Sequence, residues 1–373
     1  MKFCGASVFY KDKFQRIDFE FENEKFKSFG NFPSDASDDC INIKDKYIIP
    51  GLTDIHTHGA MNADSCDGKI ESINTFAKYM MENGITQFVP TTMTFSENIL
   101  SGIFACLGAY DNSYAKLVGI HMEGPFIAES KIGAQNPKYI SKANAEMTKR
   151  LDNLSGGLLK IISIAPETEG AMEFARELKD DYIISIAHTD CDYDTAIEAF
   201  DNGFSHLTHM FNAMNGIHHR APGPIIAAYE RAKYIELIAD GVHVYPPVVR
   251  MVFDLMGDKI ILVSDSMRAT GLSDGVYDLG GQNVEVKGNT ARIVDKGNIA
   301  GSVTNLFACM QTAIAMGVDR VNAVKAASVN PARALELKDM GEIEEGYFAN
   351  FLILDEDFNL EAVYIRGKER WKR

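Results

Sequence analysis

PGLTDIHTHGA, residues 50–60, closes an apolar run with two histidines separated by a single threonine. A β-strand turns successive side chains to opposite faces, so His56 and His58 leave one side and can aim at one point. The surroundings of this stretch set the fold. Before it, residues 1–49 alternate apolar and polar positions in short pieces ("ASVFY", "RIDFEFEN", "CINI"), the pattern of half-buried antiparallel strands. After it, β-rich apolar runs recur, and most are followed by a helical stretch. The runs are IIPGLTDIHTHG, ITQFVPTT, KLVGIHMEGPF, LKIISIAPE, YIISIAHTD, FSHLTHMFN, YIELIADGVHV and KIILVSDSM. Between the first two, Ile70, Ile73, Phe76 and Met80 follow helical spacing up to a stop at Gly84, and a later unit runs from Asp192 through Ala196, Ile197 and Phe200 to Gly203. Such strand-plus-helix units predict an α/β protein, a closed (β/α)8 TIM-type barrel of about 250 residues. DGVYDLGGQNVEVKGNTARIV then reads as strands, residues 302–335 as helices, and the tail as strands again. The expected organisation is a small β-sandwich domain built from both chain ends (1–49, 275–298 and 340–373) beside a barrel of 50–274 and 299–339.

Composition narrows the function. The 373 residues are 46% hydrophobic and 24% charged, enough to bury a full core. A net charge of −15 argues against nucleic acid and anionic membranes as partners, since both need a basic surface. An anionic small substrate would need a local cationic clamp. Six cysteines, Cys4, Cys40, Cys66, Cys106, Cys191 and Cys309, show no repeated spacing and read as reduced cytosolic thiols. The first residues carry charges too early for a signal-peptide core, and no apolar run nears the roughly 18 residues of a membrane helix. A cytoplasmic location is expected.

In such a barrel the active site forms at the C-terminal strand ends. Those ends carry His56 and His58, Thr91 and Thr92, His121 and Glu123, Glu167, His188, His209, His243 and Asp265. A single strand-end histidine is ordinarily a hydrogen-bonded structural group. The recurrence of imidazoles and carboxylates at one level of a predicted barrel points instead to a divalent ion such as Zn²⁺, with Fe, Mn, Co and Ni as other candidates. Such an ion lowers the pKa of a water and polarises a carbonyl. Asp265 is placed to take the water's proton and pass it to a leaving group.

Together these residues resemble the amidohydrolase superfamily, whose barrels open with His-x-His and end in Asp on the eighth strand. Within it, GIHMEGPF, HLTHMFNAM, ADGVHV, SDSMRATG, IAGS and NPARAL resemble the N-acetylglucosamine-6-phosphate deacetylase family from about residue 48 to the end. The strand-four lysine, Lys160, lies at the start of its strand, the wrong end for a carboxylated lysine bridge, which leaves Glu123 as the natural bridge.

The resemblance implies that Glu123, His188 and His209 hold the principal metal and that His56 and His58 add a second ion, giving one or two ions per chain. It makes Asp265 the general base and then acid. It assigns substrate contacts to Ala134, Gln135, Asn212, Ala213, Asp240, Gly241, Val242, His243, Ile299, Ala300 and Gly301. Arg220 in HHRAPG would clamp the phosphate through paired, charge-assisted hydrogen bonds, with His218 and His219 beside it. Gln135 stands where some relatives carry a histidine, and Ser266 where alanine is common, the latter with little expected consequence. The connection 124–157 is expected to close over the substrate as a lid. The expected reaction is deacetylation of N-acetylglucosamine 6-phosphate by a homodimer. The alternatives are the galactosamine epimer, a non-catalytic sugar-phosphate sensor, and a nucleobase deaminase, which Arg220 and FNAM do not suit.

Overall fold

The computed structural model describes residues 1–32 and 40–373. Its central feature is a ring of parallel strands: β1 (Leu52–Thr57), β2 (Ile85–Thr92), β3 (Ile120–Glu123), β4 (Leu159–Ile164), β5 (Ile183–Ile186), β6 (Phe204–Leu207), β7 (Tyr234–Leu237) and β8 (Ile260–Leu262). Each pairs with the next in sequence order. The seam between β8 and β1 has no regular ladder. Single bonds close it: the Asp265 N–H donates to the His56 carbonyl (2.9 Å), and the His58 N–H to the Ser266 carbonyl (2.8 Å). The ring is a nearly closed TIM-type barrel.

Helices follow the strands: α1 (Ile70–Glu82), α2 (Glu97–Gly108), α3 (Ala145–Ser155), α4 (Ala171–Leu178), α5 (Tyr193–Asp201), α6 (Gly223–Arg231), α7 (Pro246–Met256) and α8 (Leu306–Ala315). In α1 the buried positions are Ile73, Phe76, Ala77, Met80 and Met81, one stripe at helical spacing. The stripe ends where Gly84 takes φ 82°, a left-handed turn that glycine adopts without a side-chain clash. Helix α5 starts at Asp192, whose carboxylate accepts the Thr195 N–H (2.9 Å). All eight residues of β2 are buried, as expected of a strand walled by helices on one face and by the barrel interior on the other. Each large apolar side chain so buried contributes about 1.5–3 kcal/mol.

Both chain ends build the sandwich. One sheet holds Lys2–Cys4, Asp18–Glu22, Lys25–Gly30 and Cys40–Asn42. The other holds Ser7–Tyr10, Lys13–Arg16, Tyr47–Pro50, Phe351–Leu354, Leu360–Ile365 and Lys368–Lys372. Phe3, Phe19, Phe26, Ile48 and Phe351 fill the space between them. The Phe351 ring lies 5.7 Å from Phe3 and 5.4 Å from Phe19.

Two expectations are corrected. The strands Gly275–Leu279, Gln282–Lys287 and Thr290–Ile293, grouped above with the chain ends, form a separate antiparallel sheet packed on Met93, Met267 and Ala269 at the barrel mouth. Alternation shows that one face is buried, but not against what. The cysteines are not all thiols: Cys4 and Cys40 form a disulfide with Cα atoms 6.2 Å apart. Parallel pairing of their strands brings together residues 36 apart in sequence, a spacing that carries no signal by itself. Cys66, Cys106, Cys191 and Cys309 are free. Among the described residues, no helix is long and apolar enough to cross a membrane.

Candidate metal centre and active site

The C-terminal strand ends converge on one centre. Glu123, the last residue of β3, places Oε1 3.1 Å from His188 Nε2 and 3.0 Å from His209 Nε2, and those two nitrogens lie 3.2 Å apart. From the other side His56 Nε2 approaches Glu123 Oε1 at 3.6 Å, and His58 Nε2 approaches Oε2 at 3.4 Å. Asp265 Oδ1 stands 3.2 Å from His58 Nε2 and 3.7 Å from His56 Nε2. Residues 21 to 209 positions apart in sequence thus share a few ångströms because barrel closure superimposes their strand ends.

The backbone bends to bring them there. His188, His209 and Asp265 have φ of 44°, 28° and 47°, in the left-handed region that costs roughly 1–2 kcal/mol for a residue with a Cβ. Three such outliers at the points where side chains converge are strain stored at a functional site.

The donor set fits a divalent cation. His188 Nδ1 donates to the Lys131 carbonyl (2.9 Å), His58 Nδ1 to the Thr91 carbonyl (3.2 Å) and His56 Nδ1 to Glu236 (2.8 Å). Each bond fixes the tautomer that leaves the Nε2 lone pair facing the centre. His56 Nε2 is buried and without a hydrogen-bond partner, and so is His209 Nδ1. Glu123, His188 and His209 can hold one ion, and His56, His58 and Asp265 lie within shared reach of another.

The electrostatics agree. Burial opposes ionisation of Glu123, yet the surrounding histidines, His56 foremost, hold it well below the usual carboxylate range. Asp265 is likewise held low against burial, chiefly by His58. Burial disfavours a proton on His58, but the Asp265 and Glu123 carboxylates outweigh it and lift the ring to about 9. Negative potential that attracts a proton attracts a cation equally.

The centre opens into a cavity of about 390 Å³. His58, Glu123, Ala134, Gln135, His188, His209, Asn212, Ala213, His243, Asp265, Ile299 and Gly301 line it, while His56 lies beneath, fully buried. Ala300 is buried beside its neighbours, outside the lining residues. Asp240, Gly241 and Val242 are set back. The Asp240 carboxylate accepts the Val242 and His243 N–H groups and binds His243 Nδ1 at 2.8 Å, orienting that ring.

Other expected residues sit elsewhere. Arg220 is exposed and does not line the cavity; its guanidinium lies 2.6 Å from His219 Nε2. Gln135 does not turn its donor to open space. The Thr94 N–H donates to its Oε1 (2.7 Å), so its amide nitrogen faces Glu123 Oε2 (2.7 Å). Glu167 braces the loop beyond His188, accepting from the Thr189 hydroxyl and the Asp190 N–H. His121 is a structural group, with its ring nitrogens on the Ile55 carbonyl (3.1 Å) and the Ser163 hydroxyl (2.7 Å). Burial, with His56 nearby, lowers it to about 4. Ser266 is more than a bystander. Its hydroxyl binds Thr57 Oγ1 (2.7 Å) and the Gly59 carbonyl (2.9 Å), tying the last strand to the first. The connection 124–157 packs on the centre, since the Ala128 N–H reaches the His188 carbonyl (3.0 Å).

Sequence reading missed Lys131, Asp54 and Glu236. Lys131 lines the cavity and pairs with Asp190 at 3.3 Å. Asp54, two residues before His56 and therefore on its face of β1, is buried and pushed up to about 7. Glu236, a lone acid in the apolar run YIELIA, is 1% exposed. An acid inside an otherwise apolar barrel strand is the signal that could have found it.

Residues 47–370 match the model of the Amidohydrolase family. N-acetylglucosamine-6-phosphate deacetylase of Bacillus subtilis (strain 168) is 36% identical over 343 residues, covering 87% of this chain and 84% of that protein. N-acetylgalactosamine-6-phosphate deacetylase of Escherichia coli O157:H7 is 30% identical, covering 86% and 87%. The solved structure of an N-acetyl-D-glucosamine-6-phosphate deacetylase variant from Mycobacterium smegmatis, in complex with N-acetyl-D-glucosamine-6-phosphate, superposes with a TM-score of 0.93 at 29% identity, covering 99% of this chain and 98% of that one. With this barrel, this donor set and these relatives, the chain belongs to the amidohydrolase family, in the branch that holds the N-acetylglucosamine-6-phosphate deacetylases.

Proposed function

We propose that the protein hydrolyses the acetamide of N-acetyl-D-glucosamine 6-phosphate to D-glucosamine 6-phosphate and acetate. The convergence of Glu123, His188 and His209 with the carboxylate of Asp265 in one cavity carries this reading. Glu123, His188 and His209 would hold a divalent cation, and His56 and His58 a second; an ion bound there would supply Lewis-acid polarisation of the amide carbonyl and a water of lowered pKa. Zn²⁺ suits a mixed set of imidazole and carboxylate donors.

Asp265, ionised because His58 and His56 hold its pKa down, accepts the proton of the attacking water. A C–O bond forms to the acetyl carbon; as the C–N bond breaks, Asp265 returns that proton to the departing nitrogen. Asn212, Ala213, Ile299 and Gly301 form the walls that orient the sugar, with His243 held toward it by Asp240. Gln135 steadies Glu123 through its amide nitrogen and so leaves no free donor there for the acetyl oxygen.

For the phosphate, Lys131 is the lysine on the cavity wall. Arg220 stands on an exposed stretch beside Ile217, itself 46% exposed. That position supports a homodimer in which Arg220 serves a partner's cavity. A membrane-impermeant sugar phosphate supports a cytoplasmic location.

The galacto relative supports a second reading, the N-acetylgalactosamine 6-phosphate epimer. A sensor has no use for Asp265 beside a complete donor set. The test is acetate release from both epimers and from unphosphorylated N-acetylglucosamine, with metal per chain measured in parallel. Absence of acetate from either phosphorylated sugar with Zn²⁺, Mn²⁺, Co²⁺, Ni²⁺ or Fe²⁺ overturns the proposal.

A further inference from the structure

One buried acid is not accounted for by the reaction. Glu236 on β7 is 1% exposed, and burial works against its charge. Its Oε2 nevertheless lies 2.8 Å from His56 Nδ1 and accepts the His209 N–H at 3.3 Å. The carboxylate therefore touches one histidine from each half of the centre. Its bond to the His56 side chain decides more, because it sets which nitrogen carries the proton.

A carboxylate accepts only, so Nδ1 must donate. In the neutral ring the lone pair is then on Nε2, the buried atom without a hydrogen-bond partner that faces Glu123 Oε1 at 3.6 Å and Asp265 Oδ1 at 3.7 Å. The alternative tautomer would leave two acceptors facing each other at 2.8 Å and strand a buried N–H. His56 has no other anchor of this kind. Its ring packs edge-on to His121 at 4.6 Å, and the His121 nitrogens are already engaged. Glu236, His56 and His121 lie close enough to be mistaken for a separate metal site. Their ring nitrogens other than His56 Nε2 are spent on hydrogen bonds, which removes that interpretation.

We propose that Glu236 is a positioning residue that locks the ring and tautomer of His56, and so sets from the seventh strand how firmly the His56–His58 half of the centre holds its ion. This rests on the metal-centre reading above. The general physics is that a carboxylate behind a ligating imidazole fixes its orientation and makes it a stronger donor; loss of such a partner costs about 10–100-fold in metal affinity.

The experiment uses the full chain loaded with Zn²⁺ and dialysed against metal buffers, with ions per chain counted, for wild type, Glu236→Gln, Glu236→Asp and His56→Asn. Glu236→Gln is expected to weaken the more loosely held ion by about 10–100-fold while the tighter ion stays, and Glu236→Asp to recover part of the loss. In a His56→Asn background, Glu236→Gln should add little, because its effect passes through His56. Unchanged affinity of the second ion in Glu236→Gln, or an undiminished effect without His56, overturns the proposal. A wild type that binds no ion fails the metal-centre reading instead, so the two failures are distinct. Should the Glu236 variants not fold, ¹⁵N spectra of histidine-labelled wild type decide, with His56→Asn assigning the signal. In the Zn²⁺-loaded protein a proton on His56 Nδ1 is expected, and one on Nε2 with Nδ1 bare refutes the lock.

Discussion

Replacing Asp265 by asparagine tests the assignment of the proton carrier most directly. The substitution keeps size and shape and removes the charge. Asp265 has φ 47°, a conformation asparagine tolerates better than most residues, so the chain should bend as before. What disappears is a buried carboxylate 3.2 Å from His58 Nε2 and 3.7 Å from His56 Nε2. Loss of a positioned general base costs about 10²–10⁴-fold, or about 3–5.5 kcal/mol of barrel-mouth catalysis at about 1.36 kcal/mol per decade. The contacts among Glu123, His188 and His209 do not pass through Asp265, so at least one ion per chain should remain. The assay is acetate release at saturating substrate alongside metal analysis of the same sample. Turnover within about tenfold of wild type would refute the assignment. Turnover and all metal lost together would make Asp265 a ligand first. Asp265→Ala separates strain from chemistry, since alanine at this φ should also lower the melting temperature.

Further outcomes follow from the same geometry. His56→Ala/His58→Ala should lower the metal content by one ion per chain if two bind, read by emission spectrometry. Arg220→Ala should raise KM for the phosphorylated sugar and leave the unphosphorylated one unchanged; equal loss on both removes the clamp. Burial lowers the His243 pKa, but Asp240 more than offsets it, so the net shift is upward. A raised value means His243 stays protonated above the ordinary histidine range, and its bond to Asp240 stabilises fully below about pH 6.5 and fades as pH rises through the raised value. KM for the anionic substrate should therefore climb on the alkaline side, and Asp240→Asn should bring that limb to lower pH. Phe351→Ala, emptying the space beside Phe3 and Phe19, should cost about 3–5 kcal/mol in chemical denaturation.

The barrel was legible because its signal is local. Eight β-rich apolar runs each end in polar residues, and period-two alternation puts His56 and His58 on one face. The cluster of imidazoles and carboxylates at the barrel mouth was legible for the same reason, since its members stand at or just past the end of each run. Contacts made across the ring were not. Nothing in GAQNP says that Gln135 would spend both ends of its amide on Thr94 and Glu123, nor does SDSM reveal that Ser266 would stitch the last strand to Thr57 and Gly59. The strands within 275–293 alternate as the sandwich strands do, yet pack at the barrel mouth. Cys4 and Cys40 meet only because their strands pair. By itself the sequence determined the strand ends and the chemical types they carry, because periodicity is written along the chain. Which side chain braces which, and that Glu236 stands behind His56 while Arg220 stays outside the cavity, only the tertiary structure decided: those distances depend on how closure of the ring brings separate strands into register.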